Sequence, residues 1–231
     1  MAEKTSQRNL PPVNGFLLDI LASNFGAGRP SLPDGLDWDD FLKAVVYHRV
    51  PLLLASLEKT VPLPGAVSRR LREVQKRAAL RTLMLTAAAV QAVNACRAAG
   101  IRSLLLKGPA HSALFFGRLD SRWYRDIDLL VRPEDLAVAL RVLTGLGYAT
   151  AGHEGGVAAL YRQQDNAAIE LHSALDIDER LLPLSLLQPF DGTREIMLAD
   201  SPVDIMNPEK AVVYAAVHGA KHLWRQYFWL C

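Results

Sequence analysis

Leu104-Leu105-Leu106-Lys107-Gly108, followed eighteen residues beyond the glycine by Asp126-Ile127-Asp128-Leu129-Leu130-Val131, is the stretch that decides the fold. The acidic segment reads as a strand, and side chains alternate along a strand, so Asp126 and Asp128 share one face. Two carboxylates held so close oppose each other's ionisation unless a divalent cation stands between them, and hard oxygen donors favour magnesium or manganese. Upstream, the apolar run from Ile101 to Leu106 is a second strand. It ends at Lys107-Gly108-Pro109, where glycine lets the backbone approach a ligand and proline suits the first turn of a helix. Strand-to-helix turns of this kind hold phosphates. Metal and phosphate are the chemistry this stretch predicts.

Working outward, the chain divides into a disordered lead-in (1–13), a helical region (14–99), a core carrying the acidic pair (100–207) and a carboxy-terminal helix (208–231). Helices are expected from Gly15 to Phe25, from an Asp37 or Asp39 cap to about His48, and briefly over Leu52 to Leu57. From Ser68 to about Ala99 there is no Gly or Pro, and apolar residues recur at three and four spacings, which predicts one long helix ended by Gly100. After the strand at Ile101 come a helix from Pro109 to about Phe116, the strand Asp126 to Val131, and a helix opened by Pro133-Glu134-Asp135. An edge strand at Tyr148 to Thr150, a turn at Gly152 to Gly156 and a strand at Leu160 to Gln163 follow. A hairpin turn at Asp165-Asn166 leads into Ala167 to His172 and brings Glu170 beside the aspartates. Residues 174–207 are mixed, with a strand at Thr193 to Leu198. Asn207-Pro208-Glu209 opens the last helix.

Composition sets bounds. Half of the 231 residues are hydrophobic and the net charge is +2, which suits an ordinary globular protein. Residues 1–100 carry 13 basic against 8 acidic side chains, and residues 101–231 carry 13 against 16. The acid lies with the predicted metal site. The basic excess, Arg69, Arg70, Arg72, Lys76, Arg77 and Arg81, is a solvated helix face or else a nucleic-acid or anionic-substrate surface, although no aromatic residue interleaves it as RNA binding would want. Cys96 and Cys231 stand far apart, so neither a disulfide framework nor a CxxC metal site is indicated. With no signal-peptide pattern and no unbroken apolar run near eighteen residues, the expectation is a soluble, cytoplasmic protein without membrane partners. The chain stops at Trp229-Leu230-Cys231 without a polar tail, which fits either a short natural form or part of a longer protein.

Further segments add to the acidic pair: Trp38-Asp39-Asp40 with His48-Arg49-Val50-Pro51-Leu52-Leu53, Arg122, Gly147-Tyr148, Ile169-Glu170-Leu171-His172, and His218-Gly219 with Lys221-His222. Their shared order resembles a branch of uncharacterised bacterial nucleotidyltransferases in the DNA polymerase β-like superfamily, with Leu-Lys-Gly where the superfamily has Gly-Gly or Gly-Ser. The resemblance implies an α/β (α+β) fold in which amino-terminal helices pack on a small mixed sheet and a carboxy-terminal helix closes one side, residues 100–207 being the catalytic core. It further implies that Asp126 and Asp128 bind two Mg2+ (or Mn2+) ions, that Glu170 completes the site, and that a nucleoside triphosphate, ATP by expectation, is the donor.

The residues themselves leave alternatives open. Asp126 and Asp128 can be solvated carboxylates at a strand junction, and Glu170 an exposed strand residue. Lys107 and Gly108 are expected at the triphosphate, with Ser112 as a hydroxyl candidate because Pro109 offers neither N–H nor hydroxyl. Arg122 suits phosphate oxygens by its fork geometry. His172 shares Glu170's face and can bond it or the substrate, or be structural. His218 and His222 lack the adjacent glutamate of zinc chemistry; with Lys221 they line a nucleotide or acceptor pocket or simply pack. The acceptor is a small molecule, sugar, peptide or protein in preference to nucleic acid. Rival readings are a phosphotransferase at the same site and a degenerate nucleotide-binding or assembly protein. Replacing both aspartates by Asn is expected to stop turnover and, by relieving repulsion, to stabilise the metal-free chain.

Overall fold

A computed structural model describes residues 11–119, 121–176 and 180–227. The chain forms two units, Met1–Ala78 with Arg225–Cys231, and Ala79–Trp224. The lead-in largely lies outside the described residues, as do the last four residues.

The first unit is helical: α1 (Pro12–Ser23), α2 (Trp38–Tyr47), a 3-10 turn (Pro51–Leu54), α3 (Leu57–Thr60) and the opening turns of α4 (Gly65–Ala98). Pro12 sits in the first turn of α1, where its missing N–H costs nothing, so the helix starts ahead of the expected Gly15. Asp37 caps α2 by accepting from the backbone N–H groups of Asp39 and Asp40. The helices bury Phe16, Leu17, Ile20 and Leu21 against Phe41, Leu42, Val45 and Leu71. His48 stacks on Tyr227 at 3.7 Å, and its Nδ1 accepts from the Tyr227 N–H. Two arginines of the basic stretch pair with acids here, Arg70 with Asp39 and Arg72 with Glu58.

The second unit holds the rest of α4 and a seven-stranded mixed sheet in the order β3-β4-β5-β2-β1-β7-β6. The strands are β1 (Ser103–Leu105), β2 (Ile127–Val131), β3 (Ala149–Glu154), β4 (Val157–Arg162), β5 (Ala167–His172), β6 (Arg194–Leu198) and β7 (Ser201–Ile205). Helices α5 (Pro109–Phe116), α6 (Leu136–Gly145), α7 (Leu184–Leu187) and α8 (Pro208–Lys221) connect or flank them. The central strand β2 runs parallel to β5 and antiparallel to β1. β3 extends through Glu154, where a turn was expected, with a register irregularity between Thr150 and Gly152. β7, unforeseen in residues 174–207, pairs with β6 as a hairpin and lies parallel to β1.

The central strands are buried on both faces, as continuous apolar runs demand. One face carries Leu105, Ile127, Leu129, Val131, Ile169 and Leu171, and packs against Leu85, Ala89, Ala92, Val93 and Cys96 of α4 and Ala139 and Leu143 of α6. Cys96 is fully buried, and burial pushes its thiol up to about 11. The other face carries Leu104, Leu106 and Leu130 beneath Ala211 and Tyr214 of α8. Helix α4 is long and apolar enough to cross a membrane by length and composition alone. Looking for an unbroken apolar run overlooks it because polar residues interrupt the sequence; in this fold that stretch supplies the core side chains of one sheet face.

Candidate active site

The site forms where β1 ends and β2 begins, on the face beneath α8. Asp128 pairs directly with Glu170 across the parallel strands, and Leu130 pairs with His172. Residues opposite one another project to the same side, so the pleat that sends Ile127, Leu129, Ile169 and Leu171 into one core sends Asp128, Glu170 and His172 into the other. Asp128 is 3% exposed. Its Oδ1 lies 2.7 Å from Lys107 Nζ and 3.4 Å from His172 Nε2. His172 Nε2 is 3.6 Å from Glu170 Oε2.

Gly108 makes this approach possible. It caps α5 with a φ of +57°, which an L side chain adopts only with strain, and a Cβ there would stand 3.4 Å from the Tyr124 ring. Tyr124 is anchored in turn, its hydroxyl donating to the Thr82 carbonyl at 3.0 Å. Lys107 is thereby carried from the end of β1 to the carboxylate on β2.

The electrostatics follow from burial and partners. Burial alone would raise the Asp128 carboxyl, but Lys107 and His172 hold it well below the usual carboxylate range. Burial likewise opposes the Lys107 ammonium, and Asp128 outweighs it and keeps that group charged. For His172, the pull of Asp128 and Glu170 exceeds desolvation and lifts the imidazole above its ordinary value. Two other imidazoles go the opposite way. His111 and His218 are pushed down to about 3, first by burial and then by neighbouring cations, Arg122 and Lys107 for His111 and Lys107 for His218. Each stands beside one of these cations: His218 Nε2 is 3.1 Å from Lys107 Nζ, and His111 Nδ1 is 3.2 Å from Arg122 Nη1.

Asp128, Glu170 and His172 present one donor atom each, all within 4.8 Å of one another. Apart from the Lys107 ion pair, Asp128 Oδ1 is buried without a well-formed hydrogen bond, as are both ring nitrogens of His172. Two carboxylates and an imidazole so placed suit a divalent cation, and the residues fit one. Asp126, just ahead of β2, is not among these three donors; its charge acts on Lys107. Ser112 is fully buried in α5, its Oγ without a hydrogen-bond partner. Lys221, at the end of α8, donates to both oxygens of Asp176 at 2.9 and 3.0 Å. The charges of Asp176 and Glu170 both reach His222.

Sequence reasoning paired His172 with Glu170 but did not see it as a third metal donor, although the period-two spacing Glu170-x-His172 opposite Asp128 carries that signal. It missed Asp176, His111 and Tyr214 altogether. Tyr214 is buried, with its ring centroid 5.8 Å from Lys107 Nζ. Nothing local marks these three, because they meet the site only through the docking of α5, α8 and the segment after β5.

A search of curated proteins found no match. A crystal structure of an antigenic nucleotidyltransferase-like protein from Paracoccidioides brasiliensis is similar at 17% identity with a TM-score of 0.38, over 57% of this chain and 64% of that one. Residues 34–231 match the family model described as "Uncharacterised nucleotidyltransferase". That match spans both the helical segment from Asp34 and every residue of the site just described, and the chain belongs to the uncharacterised nucleotidyltransferase family.

Proposed function

We propose that the protein transfers a nucleoside monophosphate from a nucleoside triphosphate, with ATP the expected donor, to a hydroxyl or phosphate of an acceptor, releasing pyrophosphate. The observation that carries this reading is the convergence of Asp128, Glu170 and His172 within 4.8 Å beside the buried Lys107. Asp128 and Glu170 would hold Mg2+ or Mn2+, with His172 as an added donor and Asp126 supplying further negative charge. A divalent ion so held orients phosphates and lowers the pKa of an attacking hydroxyl. Lys107, with the α5 turn at Gly108 and Ser112, is suited to the phosphate chain, and Arg122 approaches from the loop before β2. Lys221 and His222 line the acceptor or nucleotide side. The acceptor is a small molecule, sugar, peptide or protein side chain in preference to nucleic acid, a reading supported by the pairing of Arg70 and Arg72 with acids, which reduces the charge the basic stretch offers.

One observation favours a second reading, a nucleotide-binding protein without turnover: Lys107 pairs with Asp128 and offsets its charge. The test is incubation with each of the four ribonucleoside triphosphates and magnesium across acceptor classes, read by pyrophosphate release and product mass. Nucleotidyl addition supports the proposal. Addition of a single phosphoryl group would assign a phosphotransferase, and metal-dependent binding without any product would assign the binding protein.

A further inference from the structure

Lys107 occupies one of the three donors that would hold a divalent cation. Its Nζ is 2.7 Å from Asp128 Oδ1, the same oxygen that faces His172 Nε2 at 3.4 Å. Asp128 is one of the three donors of the convergent group. The lysine side chain is only 13% exposed, so its ammonium depends on the protein for stabilisation. Yet Asp128 is not its sole support: His218 Nε2 lies 3.1 Å from the same Nζ, and the Tyr214 ring lies 5.8 Å away by its centroid. A neutral imidazole and a π-face both attract an ammonium without carrying negative charge of their own. They support the ammonium where it stands with contacts that do not draw on Asp128.

We infer that Lys107 is a tethered counter-ion that competes with the divalent cation for Asp128, so that metal loads fully only when an anionic ligand draws the ammonium away. The inference rests on the reading of Asp128, Glu170 and His172 as a cation site. Two positive charges on one buried oxygen repel, so metal alone must displace or crowd the lysine. A triphosphate that takes over the ammonium removes that repulsion. Metal and triphosphate therefore bind with positive coupling, and each raises the affinity of the other by the same factor. Lys107 would keep the site from taking up metal without substrate.

The test uses Mn2+ alone, with free ion measured by electron paramagnetic resonance, on the wild type, Lys107→Met, Asp128→Asn, and the Lys107→Met, Asp128→Asn double variant. Removing the ammonium should tighten Mn2+ binding at least tenfold, and the double variant should lose that gain. Without metal, Lys107→Met should melt below the wild type, because Asp128 is left buried without its partner, and Mn2+ should restore its Tm. Equal or weaker Mn2+ binding by Lys107→Met, with Asp128→Asn still abolishing it, would overturn the competition while leaving the cation site standing. No Mn2+ bound by either the wild type or Lys107→Met would overturn both. Should Lys107→Met fail to fold, Lys107→Gln, also neutral but polar, is read by the same criteria.

Discussion

The two faces of β2 and β5 are built from alternating residues of the same ten or so positions, and they do opposite things. Ile127, Leu129, Ile169 and Leu171 vanish into the core against α4 and α6, whereas Asp128, Glu170 and His172 gather beneath α8 with Lys107. The lesson is that the site's rigidity comes from its reverse side. Asp128 and Glu170 are each flanked on both sides by buried apolar neighbours, so the carboxylates are held by packing they do not themselves take part in.

Placing charge on the wrong face should have the largest effect. Leu129→Asp buries a carboxylate where no cation reaches it, at a cost of about 4–5 kcal/mol or more, and circular dichroism should show no folded protein. A cooperative melt close to the wild type would mean that the apolar face is not the support described. Removing charge from the right face should cost somewhat less. Asp128→Ala leaves the buried Lys107 ammonium without its anionic partner, with only His218 and the Tyr214 ring beside it, and should lower stability by about 3 kcal/mol in urea titration. The expectation from the sequence concerned Asn at both Asp126 and Asp128; an Asp126→Asn, Asp128→Asn protein more stable than the wild type would mean that carboxylate repulsion outweighs the Lys107 ion pair.

A smaller effect is expected at Gly156, in the turn between β3 and β4. There a Cβ would lie 2.5 Å from the Ala174 Cβ and 3.0 Å from its backbone nitrogen. Gly156→Ala should cost about 1–3 kcal/mol and displace the segment that follows His172, weakening cation affinity as well as lowering Tm. An unchanged melt would show that this segment yields freely. Smallest near neutral pH is an effect that grows only as acid is added. His111 is neutral in the folded chain down to about 3, whereas the unfolded chain takes up the proton near 6.5. Its contribution is therefore fully present above 6.5 and falls as pH drops toward 3, by up to about 1.4 kcal/mol per pH unit. His111→Asn should flatten that part of the stability profile measured by urea unfolding from pH 7 to 4. An identical slope in both proteins would place the acid sensitivity elsewhere.

Much of this was legible in the residues because its causes are local. The α4 helix follows from an uninterrupted stretch without Gly or Pro, and the strand character of Ile127 to Val131 and Ala167 to His172 from their apolar composition. The turn at Lys107-Gly108-Pro109 was legible for the same reason. β7 was obscured because Pro202 interrupts a short strand, and β3 because Gly152 and the register irregularity imitate a turn. At the site, Asp126 and Asp128 look equivalent in sequence. Only the pairing of Asp128 with Glu170, and of Leu130 with His172, separates them, since that register is a property of two strands forty residues apart. The roles of His111, Tyr214 and Asp176 depend on helix docking and leave no periodic trace.

Cys96, shielded on α4 behind the apolar face, gives the fold a built-in chemical clock. An alkylating reagent cannot reach a fully buried thiol, and the raised pKa keeps it protonated and unreactive even if a small reagent enters. In a Cys231→Ser chain it is the only thiol, so the rate at which it is labelled under native conditions times the parting of α4 from the sheet. Ligands that tighten the opposite face would announce themselves as slower labelling on this one, without any assay of chemistry.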